Sequence, residues 1–200
     1  MFAVMNEQHE TLCRSPEWAT MLQDEVIGPL MSGLELGADV LELGPGPGAA
    51  TEWLRHRVDH LVALEVDPQA AALLQAAYDA ANVEIVVGDC TRIPFPESSF
   101  DSVASFTMLH HLPSAAAQYA TLAEAFRVLR PGGLLVGADS LASPELHDFH
   151  VGDTYNPIDP ARLLVALQLL GYDQITVSVN WDLRFTARRP EESAEDHDGC

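Results

Sequence analysis

One stretch of sequence decides the fold: ELGPGPG at residues 42–48. It follows an apolar run at 39–43 that is typical of a buried strand, and residues 48–57 after it have the pattern of a helix. Glycines let the backbone approach a ligand closely, and the first turn of a helix presents unpaired N–H groups. A strand, a glycine-rich turn and a helix in this order therefore predict a ligand at the carboxyl end of a parallel strand.

The chain around this turn alternates strand-like and helix-like segments, which indicates an α/β fold with helices on both faces of a mostly parallel sheet. Further strands are predicted at 60–65, 83–87, 101–106, 134–138, 174–179 and 183–187. Further helices are predicted where a capping side chain or a proline precedes a periodic apolar pattern, at Ser15-Pro16, Asp67-Pro68, Ser114 and Asp159-Pro160. Only residues 180–182 join the last two strands, so this pair must be antiparallel.

Length and composition favour one globular domain over residues 1–190, with a helical cap at 1–36 and an acidic, disordered tail at 191–200. No apolar run approaches the ~20 residues that cross a bilayer, and the N-terminus lacks the continuous apolar stretch of a signal peptide. The three cysteines have no short spacing, which favours reduced thiols over a disulfide framework. We therefore expect a cytoplasmic protein, either a monomer or a homodimer.

The charge of the chain excludes some classes of partner. Its net charge is −20, and all ten basic residues are arginines. A field of this sign repels phosphate backbones and anionic lipid. We therefore expect a small-molecule partner, no nucleic acid and no membrane insertion.

The spacing of the glycines narrows the identity of the ligand. Dinucleotide-binding proteins use G-x-G-x-x-G, whereas Gly44, Gly46 and Gly48 are spaced G-x-G-x-G. The acid Glu42 would repel a pyrophosphate, but it suits the ammonium group of S-adenosylmethionine (SAM). Glu65, at the end of the second strand, is placed to accept both hydroxyls of a ribose, which SAM and NAD share. These residues favour SAM, and an NAD-linked oxidoreductase would require the glycine spacing to be misread.

Five motifs follow one another along the chain: VLELGPGPG, ALEVDP, VVGDCTRIPFPESSFD, SFTMLHHL and VLRPGG. Over residues 39–188 they make the chain resemble the class I SAM-dependent methyltransferases. The resemblance implies a Rossmann-like three-layer sandwich whose seven-stranded, mostly parallel sheet ends in an antiparallel hairpin. It also implies SAM as the methyl donor and S-adenosylhomocysteine as the product.

The resemblance further implies a role for each position that matches a motif. The implied cofactor contacts are Gly44, Gly46, Gly48 and Glu42 around the methionine part, Glu65 at the ribose, Val66, Asp89 and Cys90 at the adenine, and Phe106 beside the methionine amino group. Related proteins often have a small or polar residue at the position of Phe106. Only the backbone of Phe106 is therefore expected to touch the cofactor.

The same resemblance places the methyl acceptor between the N-terminal helices and the loops after the fourth and fifth strands. Histidines in these loops are candidate general bases, because a neutral hydroxyl acceptor gains from removal of its proton. The candidates are His111, His147 and His150. Each also has an ordinary explanation, as a structural residue of the family motif or as a solvated loop residue, and we expect the neighbouring His110 to be structural.

The loop after the fifth strand also contains Asp139 and Asp153, but their spacing to the histidines matches no defined metal motif, and no metal is predicted. The sequence thus predicts a SAM-dependent methyltransferase (EC 2.1.1.-) acting on a small molecule, with an oxygen nucleophile favoured. Methylation of carbon on a quinone-like ring is the near alternative. A protein that binds SAM without transferring the methyl group is the third.

Overall fold

The computed structural model describes residues 6–78 and 82–192. Its centre is a sheet of seven strands: β1 (Asp39–Leu43), β2 (His60–Glu65), β3 (Val83–Val87), β4 (Phe100–Phe106), β5 (Leu129–Asp139), β6 (Asp173–Val179) and β7 (Leu183–Arg188). They lie in the order β3-β2-β1-β4-β5-β7-β6. Strands β1 to β5 pair in parallel, whereas β7 is antiparallel to both β5 and β6. The predicted Rossmann-like α/β sheet with a terminal antiparallel hairpin is confirmed.

Eight α-helices lie in the described part of the chain: α1 (Glu7–Cys13), α2 (Pro16–Met21), α3 (Gly28–Met31), α4 (Ala49–Leu54), α5 (Pro68–Ala77), α6 (Ala115–Val128), α7 (Pro144–Phe149) and α8 (Pro160–Leu170). A π-helical segment, Leu22–Ile27, joins α2 to α3. The side chains of Ser15, Asp67, Ser114 and Asp159 accept hydrogen bonds from first-turn N–H groups. The four helix starts that the sequence predicts are therefore confirmed, and they are fixed by local capping.

Three elements differ from the prediction. Asn6 caps α1, a helix that the apolar pattern does not reveal because its residues are mostly polar. Ser143 caps α7, which lies in the segment that was predicted as a loop. Strand β5 begins at Leu129 rather than at 134, because α6 ends at Val128 and Leu129 already pairs with Phe100 of β4. An irregularity that includes Gly132, with φ of 76°, precedes the regular pairing from Leu134 onward.

Two apolar clusters cover the two faces of the sheet. One contains Leu41, Val103 and Leu135 from the strands together with Leu122 of α6 and Leu167 of α8. The other lies on the opposite face, between sheet residues and the N-terminal helices with α4; its members include Val40, Ala104, Val136, Ile27 and Leu54. These three layers bury the strands on both faces, as parallel sheets require.

The described residues contain no helix that is both long enough and apolar enough to span a membrane. Of the tail predicted to be disordered at 191–200, residues 193–200 lie outside the described residues. The domain limits at 1–190 and the helical cap at 1–36 stay predictions.

Candidate functional site

The carboxyl ends of the central strands lie side by side along one edge of the sheet, which we call the rim. Leu43 at the end of β1 pairs with Leu64 of β2 and with Ser105 of β4, while Glu65 pairs with Val87 of β3. The strand order reverses between β1 and β4, and open α/β sheets bind ligands in the crevice at such a switch point. The glycine turn after β1 lies at this position.

The glycine turn has a backbone that other residues would strain. Gly44, Gly46 and Gly48 all have positive φ, at 63°, 54° and 95°. A Cβ atom on Gly44 would overlap the side chain of Met108, and one on Gly48 would lie 2.9 Å from Leu74 Cδ2. The turn is therefore packed closely against the segment after β4, and it presents backbone atoms rather than side chains to the rim.

Glu65 connects the end of β2 to this turn. Its carboxylate accepts hydrogen bonds from the N–H groups of Asp67 (2.9 Å) and Gly46 (3.3 Å). Burial raises its pKa, and the backbone hydrogen bonds oppose that rise. Val66 follows with 38% of its surface exposed beside this carboxylate. The Glu65 carboxylate can accept hydrogen bonds from hydroxyl groups, and the apolar side chain of Val66 beside it can pack on a flat ring. This combination suits the nucleoside half of SAM.

Glu42 lies inside the sheet rather than on the open rim. Its side chain is buried and accepts a 2.6 Å hydrogen bond from the hydroxyl of Thr51 in α4. Burial raises its pKa to about 7; the Thr51 hydrogen bond lowers it and the charge of Glu65 raises it further. Glu42 therefore stabilises the turn from below, and near neutral pH it changes between its neutral and charged forms.

The pKa of Glu42 predicts a pH-dependent stability. The carboxyl is near pKa 4.5 when unfolded and about 7 when folded, so its stabilising contribution is complete below about pH 4.5 and is lost as pH rises through about 7. This rise corresponds to about 3 kcal/mol. We expect the Glu42→Gln variant to lack that loss, and urea unfolding of the ligand-free protein at pH 5 and pH 8 measures it. An identical pH dependence of stability in the two proteins would contradict the prediction that the buried Glu42 carboxyl causes this loss.

The segment after β3 holds the two residues predicted at the adenine. Asp89 caps the short turn at Cys90–Arg92 and accepts hydrogen bonds from the N–H and hydroxyl of Thr91, each at 2.8 Å. Burial raises the pKa of the Cys90 thiol to about 11, so it stays protonated. Phe106, at the end of β4, is buried in the apolar core, which leaves only its backbone available on the rim.

The other half of the rim carries a group of histidines that we name the histidine cluster: His9, His110, His111 and His150. The His110 and His111 rings are 4.0 Å apart between centroids, and His9 lies 4.9 Å from His111 and 4.6 Å from His150. They come from α1, from the turn after β4 and from the end of α7. Four imidazoles from three distant parts of the sequence thus meet at one place.

His110 forms a buried pair with Asp139, the last residue of β5. The distance from His110 Nδ1 to Asp139 Oδ1 is 2.6 Å, and the two side chains are 4% and 1% exposed. His110 Nε2 has no hydrogen-bond partner among the described residues. A carboxylate on Nδ1 fixes the proton there and leaves the lone pair on Nε2, which is the arrangement of a histidine that accepts a proton.

The remaining cluster residues gather around Asp153, in the segment after α7. His9 Nδ1 lies 2.9 Å from Asp153 Oδ2, and His111 Nδ1 lies 3.9 Å from Asp153 Oδ1. Burial, with the charges of the neighbouring histidines, lowers the pKa of His111 to about 3. The pKa values of His9 and His150 are also lowered, chiefly by burial.

The structure brings together two of the three candidate bases. His111 and His150 lie in the cluster, whereas His147 is exposed on α7. Sequence reasoning missed His9 and the pairing of His110 with Asp139. Two signals were present: Asn6 before two early acidic residues is a helix start, and residues that end or follow adjacent parallel strands meet at one rim.

Comparisons with known proteins agree with this geometry. A family model described as a methyltransferase domain matches residues 41–137. A Mycolicibacterium smegmatis protein named as a SAM-dependent methyltransferase is 32% identical over 144 residues, which cover 68% of this chain and 52% of that protein. A Thermococcus onnurineus protein named as ribosomal RNA small subunit methyltransferase A is 38% identical over 87 residues, covering 42% and 31%. The chain thus spans about half the length of the first relative and less of the second.

Among solved structures, a SAM-dependent methyltransferase from Aquifex aeolicus superposes with a TM-score of 0.71 at 18% identity, and the match covers 93% of this chain and all of that one. A likeness at this identity shows the shared fold. The matched family model, the relatives and the motifs on the rim give the same assignment. The chain therefore contains a methyltransferase domain, matched over residues 41–137, with the fold and motifs of the class I SAM-dependent methyltransferases.

Proposed function

We propose that this protein transfers the methyl group of SAM to an oxygen atom of a small molecule, with His110 as the general base. The observation that carries the proposal is the buried His110–Asp139 pair, with its unpartnered Nε2 at the carboxyl ends of β4 and β5. Met108, two residues earlier, lies against Gly44 of the glycine turn. The base and the proposed donor site are therefore joined by one short segment.

The rim residues fit the donor part by part. The turn of Gly44, Gly46 and Gly48 would hold the methionine part, Glu65 the ribose hydroxyls, and the exposed Val66 the face of the adenine. Bound SAM supplies an electrophilic methyl group on a sulfonium. We further propose that Asp89, Cys90 and the Phe106 backbone complete the contacts, as the family resemblance implies.

In the proposed reaction, His110 Nε2 would accept the proton of the acceptor hydroxyl. SAM held at the rim would supply the methyl group to the hydroxyl oxygen and leave as S-adenosylhomocysteine when its carbon–sulfur bond breaks. Asp139 holds the His110 proton on Nδ1 and stabilises the imidazolium that forms. Burial of the pair excludes water, which strengthens this electrostatic support. A carboxylate acceptor would need no base, so a dependence on His110 favours a hydroxyl.

The charge of the chain supports a small acceptor over RNA. With a net charge of −20 the protein repels polyphosphate chains, and its similarity to the ribosomal RNA methyltransferase named above is confined to 87 residues. We propose that it acts as a monomer or homodimer on an acceptor that is not a nucleic acid.

Binding and turnover test the proposal separately. Calorimetry with SAM and S-adenosylhomocysteine tests the donor site, and absence of binding by both overturns the proposal. A library of phenols, alcohols, carboxylic acids, quinone-like rings and RNA then tests the acceptor, with product mass and methylated atom found by mass spectrometry and NMR. We expect methylation of a hydroxyl. Methylation on ring carbon, methylation of RNA, or binding of SAM with no turnover would each identify a different function.

A further inference from the structure

Four side chains in the histidine cluster and its surroundings have the chemistry and placement of a metal site: His9, His111, His150 and Asp153. Each offers one ligand atom, and the four atoms all lie within 4.8 Å of one another. We propose that these residues bind a zinc ion. The proposal departs from the expectation of no metal that the sequence spacing gave, and it does not depend on the identity of the methyl acceptor.

His150 gives independent support for a ligand at this place. Its Nδ1 donates a 2.6 Å hydrogen bond to the carbonyl of Leu146, so its lone pair is on Nε2. That Nε2 is buried without a hydrogen-bond partner among the described residues, on a residue that is 4% exposed. A buried polar atom without a partner is costly, and a metal ion would satisfy it.

The carboxylate of Asp153 is also placed to bind a metal ion. Its side chain is 1% exposed, next to His9 at 2.9 Å and to His111 at 3.9 Å. The N–H group of Thr154 donates to its Oδ1 at 2.7 Å and orients it. A buried carboxylate that faces the imidazoles of His9 and His111 has the placement of a metal ligand.

The donor set selects the ion. Calcium and magnesium prefer oxygen ligands, whereas three imidazoles and one carboxylate suit zinc. Zinc with bonds of about 2.0–2.1 Å separates its tetrahedral ligand atoms by about 3.4 Å. The separations of up to 4.8 Å would therefore have to shorten by about 1.4 Å at most. Four protein ligands close a tetrahedral shell, which is typical of zinc that holds structure.

Such an ion would attach the N-terminus to the rim. Helix α1 has seven residues, too few to be stable alone, and the side-chain amide of Asn6 already donates to the carbonyl of Phe149 in α7 at 2.8 Å. Zinc would add coordinate bonds that connect His9 in α1 to the turn after β4 and to the segment after α7. Its removal should therefore loosen α1.

The direct test is titration of zinc into the untagged chain of 200 residues after removal of metals. We expect one zinc ion per chain, with Kd below about 1 µM. Cobalt(II) in place of zinc should give the intense visible bands of four-coordinate cobalt, and X-ray absorption at the zinc edge should count three imidazoles. Lack of binding by the wild-type protein, or a spectrum of six oxygen ligands, overturns the proposal.

Variants locate the ion. We expect His150→Ala and His9→Ala to lower zinc affinity by about 100-fold or more, and the matched control His147→Ala, on the same helix as the His150 segment, to keep it. Zinc should raise the Tm of the wild type and the control but not of the two cluster variants. Equal affinity in all four proteins would contradict the site. If a cluster variant fails to fold, judged by circular dichroism, the wild-type absorption spectrum decides.

Discussion

Replacing His110 by alanine is expected to lower kcat by about 100- to 10,000-fold with the hydroxyl acceptor that the library identifies. The reason is that no other histidine in the described residues combines burial, a carboxylate partner on Nδ1 and an unpartnered Nε2. Asp139→Asn should also lower kcat strongly, because the amide would no longer fix the tautomer that leaves Nε2 free. Steady-state kinetics and calorimetry with SAM make the measurement.

The affinity for SAM separates a catalytic role from a structural one. We expect His110→Ala to leave the Kd for SAM within about twofold, because the imidazole would contact the acceptor rather than the donor. His56→Ala is a suitable control, since this histidine is exposed at the end of α4. An unchanged kcat in a folded His110→Ala protein would show that methylation of this hydroxyl does not need His110 as a base, and would overturn the proposed role of His110.

Replacing Glu65 by alanine is expected to weaken SAM binding by about 100-fold or more. Two hydrogen bonds from ribose hydroxyls to a carboxylate are worth about 1.5–3 kcal/mol each, and about 1.4 kcal/mol changes affinity tenfold. The side chain also holds the N–H of Gly46, so its loss would loosen the turn that carries the methionine part. Isothermal titration calorimetry with SAM and with S-adenosylhomocysteine measures the effect.

Glu84→Ala is the matched control for this substitution. Glu84 is an exposed acid in the neighbouring strand β3, so its removal changes the net charge equally without touching the rim. We expect its Kd for SAM to stay within about twofold of the wild type. Equal weakening in both variants would mean that general electrostatics, and not a ribose contact, explains the role of Glu65.

The part of the fold that could be predicted from sequence is the part governed by local chemistry. Strands β1, β2 and β3 lie at the predicted residues because each is a short apolar run between turn residues. Helices α5 and α8 begin as predicted because Asp67 and Asp159 cap them before a proline. Helix α7 and the start of α1 within the predicted helical cap were not predicted, because short polar helices have no strong apolar period.

The candidate site also has one part that the sequence predicts and one part that it does not. The donor half comes from short continuous motifs, Glu42 to Gly48 and Glu65-Val66. Each motif lies at the end of a strand, so its placement follows from the predicted strands. The histidine cluster is assembled by tertiary structure from residues as far apart as His9 and Asp153. Spacing in sequence cannot reveal such a group, which explains why His150 and His111 were predicted singly and His9 was not.

The contact between Gly44 and Met108 links two properties, the range of acceptors and the affinity for the donor, that an enzyme engineer would want to change separately. The side chain of Met108 lies against the glycine turn, and Met108 is only two residues before His110 in the sequence. A smaller residue at 108, chosen to admit a bulkier acceptor, would also remove the surface that supports the glycine turn. Acceptor range and donor affinity should therefore change together at this position, and an altered specificity would need a compensating substitution near the turn.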